Sequence, residues 1–115
     1  MRGGYNEIEL YSTTTSSIGA GNITLYDDMN NYKYLKLVFD CGTMIIGVDD
    51  FVTSNSSKSF MTRGGTYYTS GANYFFARKM YYSDTNKIYF DTAKIVGNTL
   101  SSNSYVLIRK VYGLK

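Results

Sequence analysis

The chain has 115 residues, which suits one domain, and it reads as a single unit over 1–115. Ser, Thr, Asn and Gly fill 44 positions and Tyr another 13, while charged residues make only 18% and the net charge is +3. The aromatic content argues against a disordered chain, the lack of histidine rules out Ser-His-Asp and Cys-His triads and His-ligated zinc, and no apolar run suffices for a helical membrane span.

Residues 6–11 alternate, with Ile8 and Leu10 on one face and Glu7, Glu9 and Tyr11 on the other. A Ser/Thr/Gly-rich loop follows over 12–21, then a short strand at 22–26 with Ile23 and Leu25 inward. Asp27, Asp28, Asn30 and Asn31 mark a turn. The strongest strand signal is 32–39, with Leu35, Leu37 and Phe39 on one face and Tyr34, Lys36 and Val38 on the other. A three-residue turn, Asp40-Cys41-Gly42, leads into a partner strand at 43–48, so these two form a hairpin.

Residues 49–57 read as loop, 58–62 as a short strand, Arg63-Gly64-Gly65 as a turn, and 66–69 as a weak strand. The longest β-prone run is 73–82. A four-residue turn at 83–86 joins it to 87–91, where Ile88 and Phe90 point inward. Residues 97–103 form a loop and 105–112 the closing strand. No segment shows a sustained 3.6-residue apolar period. The expected fold is therefore all-β, an antiparallel, jelly-roll-like β-sandwich of eight or nine short strands without a long helix. Leu35, Leu37, Ile88, Phe90, Ile8 and Ile23 are the expected core.

The chemistry-bearing residues are few. Cys41 has no second cysteine to pair with, and the Asp40 carboxylate beside it disfavours a thiolate, so it reads as incidental. The turns at Asp27-Asp28 and Asp49-Asp50 lack the spacing of a calcium loop, so no metal is expected there. Neither Gly-rich stretch has the Lys-Ser/Thr ending of a phosphate loop. Lysines and arginines are scattered, and the adjacent pairs Arg78-Lys79 and Arg109-Lys110 would split across two strand faces, which argues against nucleic-acid binding. What stands out is tyrosine. Its ring can cover the C–H face of a sugar while its hydroxyl bonds a sugar hydroxyl. Strand propensity alone is the other account of so many tyrosines.

The chain ends in Ile108-Arg-Lys-Val-Tyr-Gly-Leu-Lys115, after a Ser/Thr/Asn-rich segment. This ending resembles the C-terminal tip domains of tail-fibre and baseplate appendage proteins of phages and prophages, which commonly close on an I-x-x-[IV]-[YV]-G strand. Ile23-Thr-Leu25 with 31–37, and 73–78 up to Ile88, are similar to earlier strands of that family. The likeness covers nearly the whole chain, through structural motifs. It implies a non-enzymatic receptor-binding or adhesive module, usually a β-sandwich on a trimeric fibre. The leading expectation is an attachment module at the virion tail that binds a cell-surface glycan, without cofactor or membrane insertion. Two alternatives stay open, a purely structural trimerisation or capping domain and a small glycan-cleaving domain. The expected ligand contacts are Tyr67, Tyr68, Asn73, Arg63 and Asp50, with the 53–57 loop, gathered at one end of the sandwich. No catalytic residue is expected.

Overall fold

Alternating runs rich in Tyr, Ile, Val and Thr become strands, and Gly, Asn and Asp set the turns between them. The structure, a computed structural model, describes residues 6–53, 61–69, 71–95 and 100–115. Among these, the strands are β1 (Glu7–Ser12), β2 (Gly21–Thr24), β3 (Tyr34–Phe39), β4 (Gly42–Gly47), β5 (Met61–Thr69), β6 (Ala72–Asp84), β7 (Lys87–Phe90), β8 (Ala93–Ile95), β9 (Ser101–Ser102) and β10 (Ile108–Leu114). A 3-10 turn at Met29–Asn31 and a six-residue helix, α1 (Val48–Thr53), complete the fold.

All pairings are antiparallel, and the strands make two sheets. One runs β1-β10-β3-β4. The other runs β2-β7-β6-β8-β9, with β5 along the remaining edge of β6. The inward faces meet in one core, where Leu35, Leu37, Phe39 and Val111 of the first sheet pack with Ile23, Phe76, Met80, Ile88 and Phe90 of the second. Phe39 and Phe90 touch across the layers, edge to face, with ring centroids 6.3 Å apart. Burying each such side chain contributes about 1.5–3 kcal/mol. The expected antiparallel sandwich is the observed fold, and Leu35, Leu37, Ile88, Phe90 and Ile23 lie in its core as expected.

Ile8 does not. It is 42% exposed, because β1 is an edge strand and the cross-strand partner of Ile8 is Gly113, which offers no side chain to pack on. A bulge between Glu9 and Tyr11 takes up Leu10 as an extra, buried residue. The reversal of faces turns Tyr11 toward the core, against the strict alternation expected.

Three further departures have local causes. Residues 48–53 form α1, in place of an expected strand end at Val48 and loop over 49–53, because Val48 and Phe51 bury one face and Asp49 and Asp50 sit favourably in the first turn. Gly64 and Gly65 lie inside β5, not in a turn. A Cβ on Gly64 would come within 2.6 Å of the Phe75 ring, and one on Gly65 within 2.5 Å of Cys41 Cβ, so these glycines admit close neighbours within a regular strand. The closing strand starts at Ile108 rather than 105, because Val106 has a φ of 54° and breaks the extended run. A β-branched residue in that left-handed region costs on the order of 1–3 kcal/mol.

The sandwich edges differ in protection. Against neighbouring chains, β1 carries Glu7, Glu9 and a bulge, while β2 and β9 have four and two residues. On the opposite side, β4 has no charged residue and exposes Ile45 (59%). β5 runs nine residues with Arg63 as its sole charge. Short strands, charges and bulges are the usual means of blocking edge pairing, and the β4/β5 side lacks them.

Candidate functional site

The β5–β6 hairpin carries four of the five expected contact residues. Gly71 adopts a φ of 78° between the two strands, and the register sets Tyr67 opposite Tyr74 and Tyr68 opposite Asn73. Strand alternation then divides the four. Arg63 and Tyr67 face the other sheet, and Tyr68 and Asn73 face out.

On the inward side, the Tyr67 hydroxyl donates to Asp40 Oδ1 at 2.6 Å and accepts the backbone N–H of Val106 at 2.8 Å. Asp40 also accepts from the Leu107 N–H (3.2 Å), and its own N–H donates to the Leu107 carbonyl (3.0 Å). The strained backbone at Val106 is thus pinned from both sides. The Tyr67 ring lies against Tyr105 (centroids 4.7 Å) and Phe76 (6.0 Å), and Phe76 stacks on Tyr105 at 4.3 Å. Burial, then the hydrogen bond to Asp40, pushes the Tyr67 hydroxyl pKa well above its ordinary value; the Val106 N–H opposes this.

Arg63 reaches over Gly42, where any side chain would collide with its guanidinium, and donates from Nη2 to the Cys41 carbonyl at 3.1 Å. Cys41 in turn points its thiol at the Gly64 carbonyl, 3.5 Å away, and is half-buried. The 40–42 turn is therefore clamped to β5. It has two residues outside the strands, not three, because Gly42 pairs with Phe39.

Arg78 is the residue that sequence reasoning passed over. It is 1% exposed, and its guanidinium donates to the carbonyls of Ile18, Asp91 and Tyr105, each at 2.8 Å. One buried cation thereby ties three separated loops together. Burial lowers its pKa, with Asp40 and Asp91 opposing that shift, and a guanidinium keeps its charge regardless. The signal was present. In the run 74–82, Arg78 alternates in phase with Phe76 and Met80, which places a charge on the apolar face.

On the outward side, Tyr68 is 75% exposed beside the exposed Asn73. The Phe75 ring, 49% exposed, covers Gly64. Farther along the same face, Tyr81 and Tyr89 stack at 4.7 Å. These residues form an aromatic surface with an amide at one end.

Asp50 lies elsewhere. Its carboxylate leans over Gly47 at the start of α1, and α1 packs through Phe51 on Tyr82, at the end of β6 away from Tyr68 and Asn73. Thr53 closes α1 by donating to the Asp49 carbonyl at 2.9 Å, and the remainder of the 53–57 loop lies outside the described residues.

The other acidic turn is consumed by local bonds. Asp27 accepts from the Tyr32 hydroxyl (2.8 Å), its neighbour's N–H at Asp28 (2.8 Å) and the Asn31 amide (3.1 Å). The Tyr32 bond, first among these, holds the Asp27 pKa below its ordinary value. Asp28 caps the 3-10 turn by accepting from the Asn30 N–H. Among the described residues, no three His, Cys, Asp or Glu side chains converge as a metal centre requires. No family model, curated protein or solved structure matches the chain.

Proposed function

We propose that this domain is a non-enzymatic attachment module that binds a cell-surface glycan through the outward face of the β5–β6 hairpin, in the tail-appendage setting its sequence resemblance implies. One observation carries the reading: Tyr68 holds its ring out to solvent directly across from the amide of Asn73. A sugar needs an apolar plate for its C–H face and paired donors and acceptors for its hydroxyls, and this pair supplies both. The hairpin backbone is fixed by pairing along all of β5, so little ordering is lost on binding. Single sites of this kind bind weakly, and multivalency on a virion makes them effective.

Self-association belongs to the same proposal, with a trimer as the expected state. The unprotected β4/β5 side, with Ile45 exposed on an uncharged edge, supports it. It equally favours the purely structural reading, a domain that only joins subunits. A glycan array together with whole-cell binding separates the two. Wild-type protein is expected to bind, and Tyr68→Ala and Asn73→Ala to lose at least about tenfold in affinity, roughly 1.4 kcal/mol. Light scattering should show Ile45→Lys shifting the assembly toward monomer. Absence of glycan and cell binding in an intact oligomer would leave the structural reading standing. Sugar release from a bound polysaccharide would make the domain an enzyme.

A further inference from the structure

Three segments far apart in sequence meet at the end of the sandwich opposite Gly71. The Lys33 N–H donates to the Leu114 carbonyl (2.8 Å), and the Val48 N–H donates to the Lys33 carbonyl (2.9 Å). These bonds bring the 29–33 turn, the start of α1 and the end of β10 side by side. Between them lies a cleft of about 350 Å³ lined by Asn30, Asn31, Tyr32, Lys33, Asp49 and Lys115. That volume is at the small end of ligand pockets and suits a small ligand.

The cleft is braced before any ligand arrives. The Tyr32 ring is buried on Gly113, where a side chain would strike it, and the hydroxyl is tied to Asp27. The same carboxylate holds the Asn31 amide nitrogen, which leaves the Asn31 carbonyl oxygen as an acceptor. Lys36, Lys94 and Lys110 each have an acid partner, at 2.8, 3.7 and 3.6 Å. Among the described residues neither Lys33 nor Lys115 has a carboxylate within ion-pair distance, although Asp49 lines the same cleft. Lys115 instead sits 5.6 Å from the centroid of the Tyr32 ring.

From this juxtaposition we propose that the cleft is a second binding site, taking a monosaccharide unit that bears an anionic group, a carboxylate or a phosphate. The two lysines would hold the anion, and Asn30, Asn31 and Asp49 the hydroxyls. A bare anion would leave the amides unused and meet Asp49. A neutral sugar would leave both lysines without an anion at ion-pair distance, with Lys115 held only by the Tyr32 ring and the longer-range pull of Asp27. The inference rests on the glycan reading and adds to it the acidic class of the sugar and a separate position for it.

The test is NMR titration of the whole chain, following backbone amide signals. The probes are glucuronate, glucose 6-phosphate, glucose, acetate and inorganic phosphate. Glucuronate or glucose 6-phosphate is expected to move the signals of residues 30–33, 49 and 115, and the tighter of the two identifies the anionic group. Replacing Lys33→Gln and Lys115→Gln together should weaken that binding at least about tenfold, with Tyr68→Ala leaving it unchanged. Asn30→Ala, which keeps both lysines, should weaken the acidic sugars and not inorganic phosphate. Equal shifts with acetate, inorganic phosphate and the acidic sugars would overturn the proposal, as would no shift in the cleft. If the cleft stays silent while a polysaccharide still binds through Tyr68, the cleft inference alone fails. If neither surface responds to any sugar, the glycan reading falls with it.

Discussion

Tyr67 and Tyr68 are adjacent and chemically identical, and their surroundings are opposite. Tyr67 has its hydroxyl bonded to Asp40 and to the Val106 N–H and its ring packed on two others. Tyr68 is 75% exposed and faces only the hairpin surface and solvent. The comparison extends to the whole hairpin. Its inner face carries Arg63, Tyr67 and Arg78, each of which bonds a loop backbone and holds it in place. Its outer face carries Tyr68, Asn73 and Phe75. One face fixes the scaffold, so the other is left to vary in side chain without loss of fold. That division is what a recognition surface needs, since contact residues work best when a rigid element places them.

The largest effect should come from breaking the inner face at Arg78. Arg78→Ala would leave three loop carbonyls without their shared donor, at about 1–3 kcal/mol for each buried group left unpaired. A total loss of about 3–5 kcal/mol is expected, a large part of the stability of an ordinary domain. Arg78→Lys should recover only part of this, because an ammonium cannot reproduce the planar fork that reaches several acceptors at once. Urea unfolding of the two variants measures both numbers. A loss below about 1 kcal/mol for Arg78→Ala would mean the loops hold without the guanidinium.

Tyr67→Phe removes a single oxygen and should come next. The Val106 N–H loses its acceptor and Asp40 loses a donor, so a loss of about 1–3 kcal/mol is expected in the same unfolding experiment. Because Val106 is strained, the 105–107 backbone should relax, which would appear as faster amide exchange at Val106 and Leu107.

Alkaline pH probes the same bond more gently. The folded pKa of Tyr67 is raised by burial and by Asp40, and that of Tyr32 by burial and by Asp27. A group with a raised folded pKa contributes its full stability below the unfolded value, about 10 for tyrosine, and loses it as pH climbs through the folded value. Unfolding free energy is therefore expected to fall as pH rises above about 10, and to fall less in Tyr67→Phe. A flat profile in the wild type would show that neither hydroxyl is held neutral by the fold.

How much of this was legible follows the range of each interaction. The sandwich and most of its core came from period-2 alternation, a local property, as at Leu35, Leu37, Ile88 and Phe90. Alternation was also enough to part Tyr67 from Tyr68 and to set Arg78 in phase with Phe76 and Met80, but residue type grouped the two tyrosines at one site and Arg78 was passed over. Gly64 and Gly65 misled because glycine marks turns in sequence, whereas here the cause is Phe75 from the neighbouring strand and Cys41 from the 40–41 turn. Ile8 misled because its neighbour across the ladder is Gly113. Asp50 was drawn toward the tyrosines by residue type, yet α1 sets it at the far end, where its neighbour Asp49 lines the cleft with Lys33 and Lys115. A convergence of positions 30–33, 49 and 115 has no local signature at all.

The smallest expected change in stability, and the sharpest use of the comparison, is at Tyr68. Tyr68→Ala removes a ring that buries little, so unfolding free energy should shift by less than about 0.5 kcal/mol, the range of surface substitutions away from special features. A modest loss of strand propensity is included in that range, because β5 is an edge strand. Glycan binding should fall at the same time by at least about tenfold. Tyr68→Phe keeps the ring and loses the hydroxyl, so it should retain most of the binding if stacking on the sugar dominates. It should behave like Ala if the hydroxyl contact dominates. Tyr67→Phe, measured beside it, should lose stability and leave affinity unchanged under conditions where it is folded. The opposite pattern, with Tyr68 costing stability and Tyr67 costing affinity, would show that the two faces of the hairpin have been assigned the wrong way round.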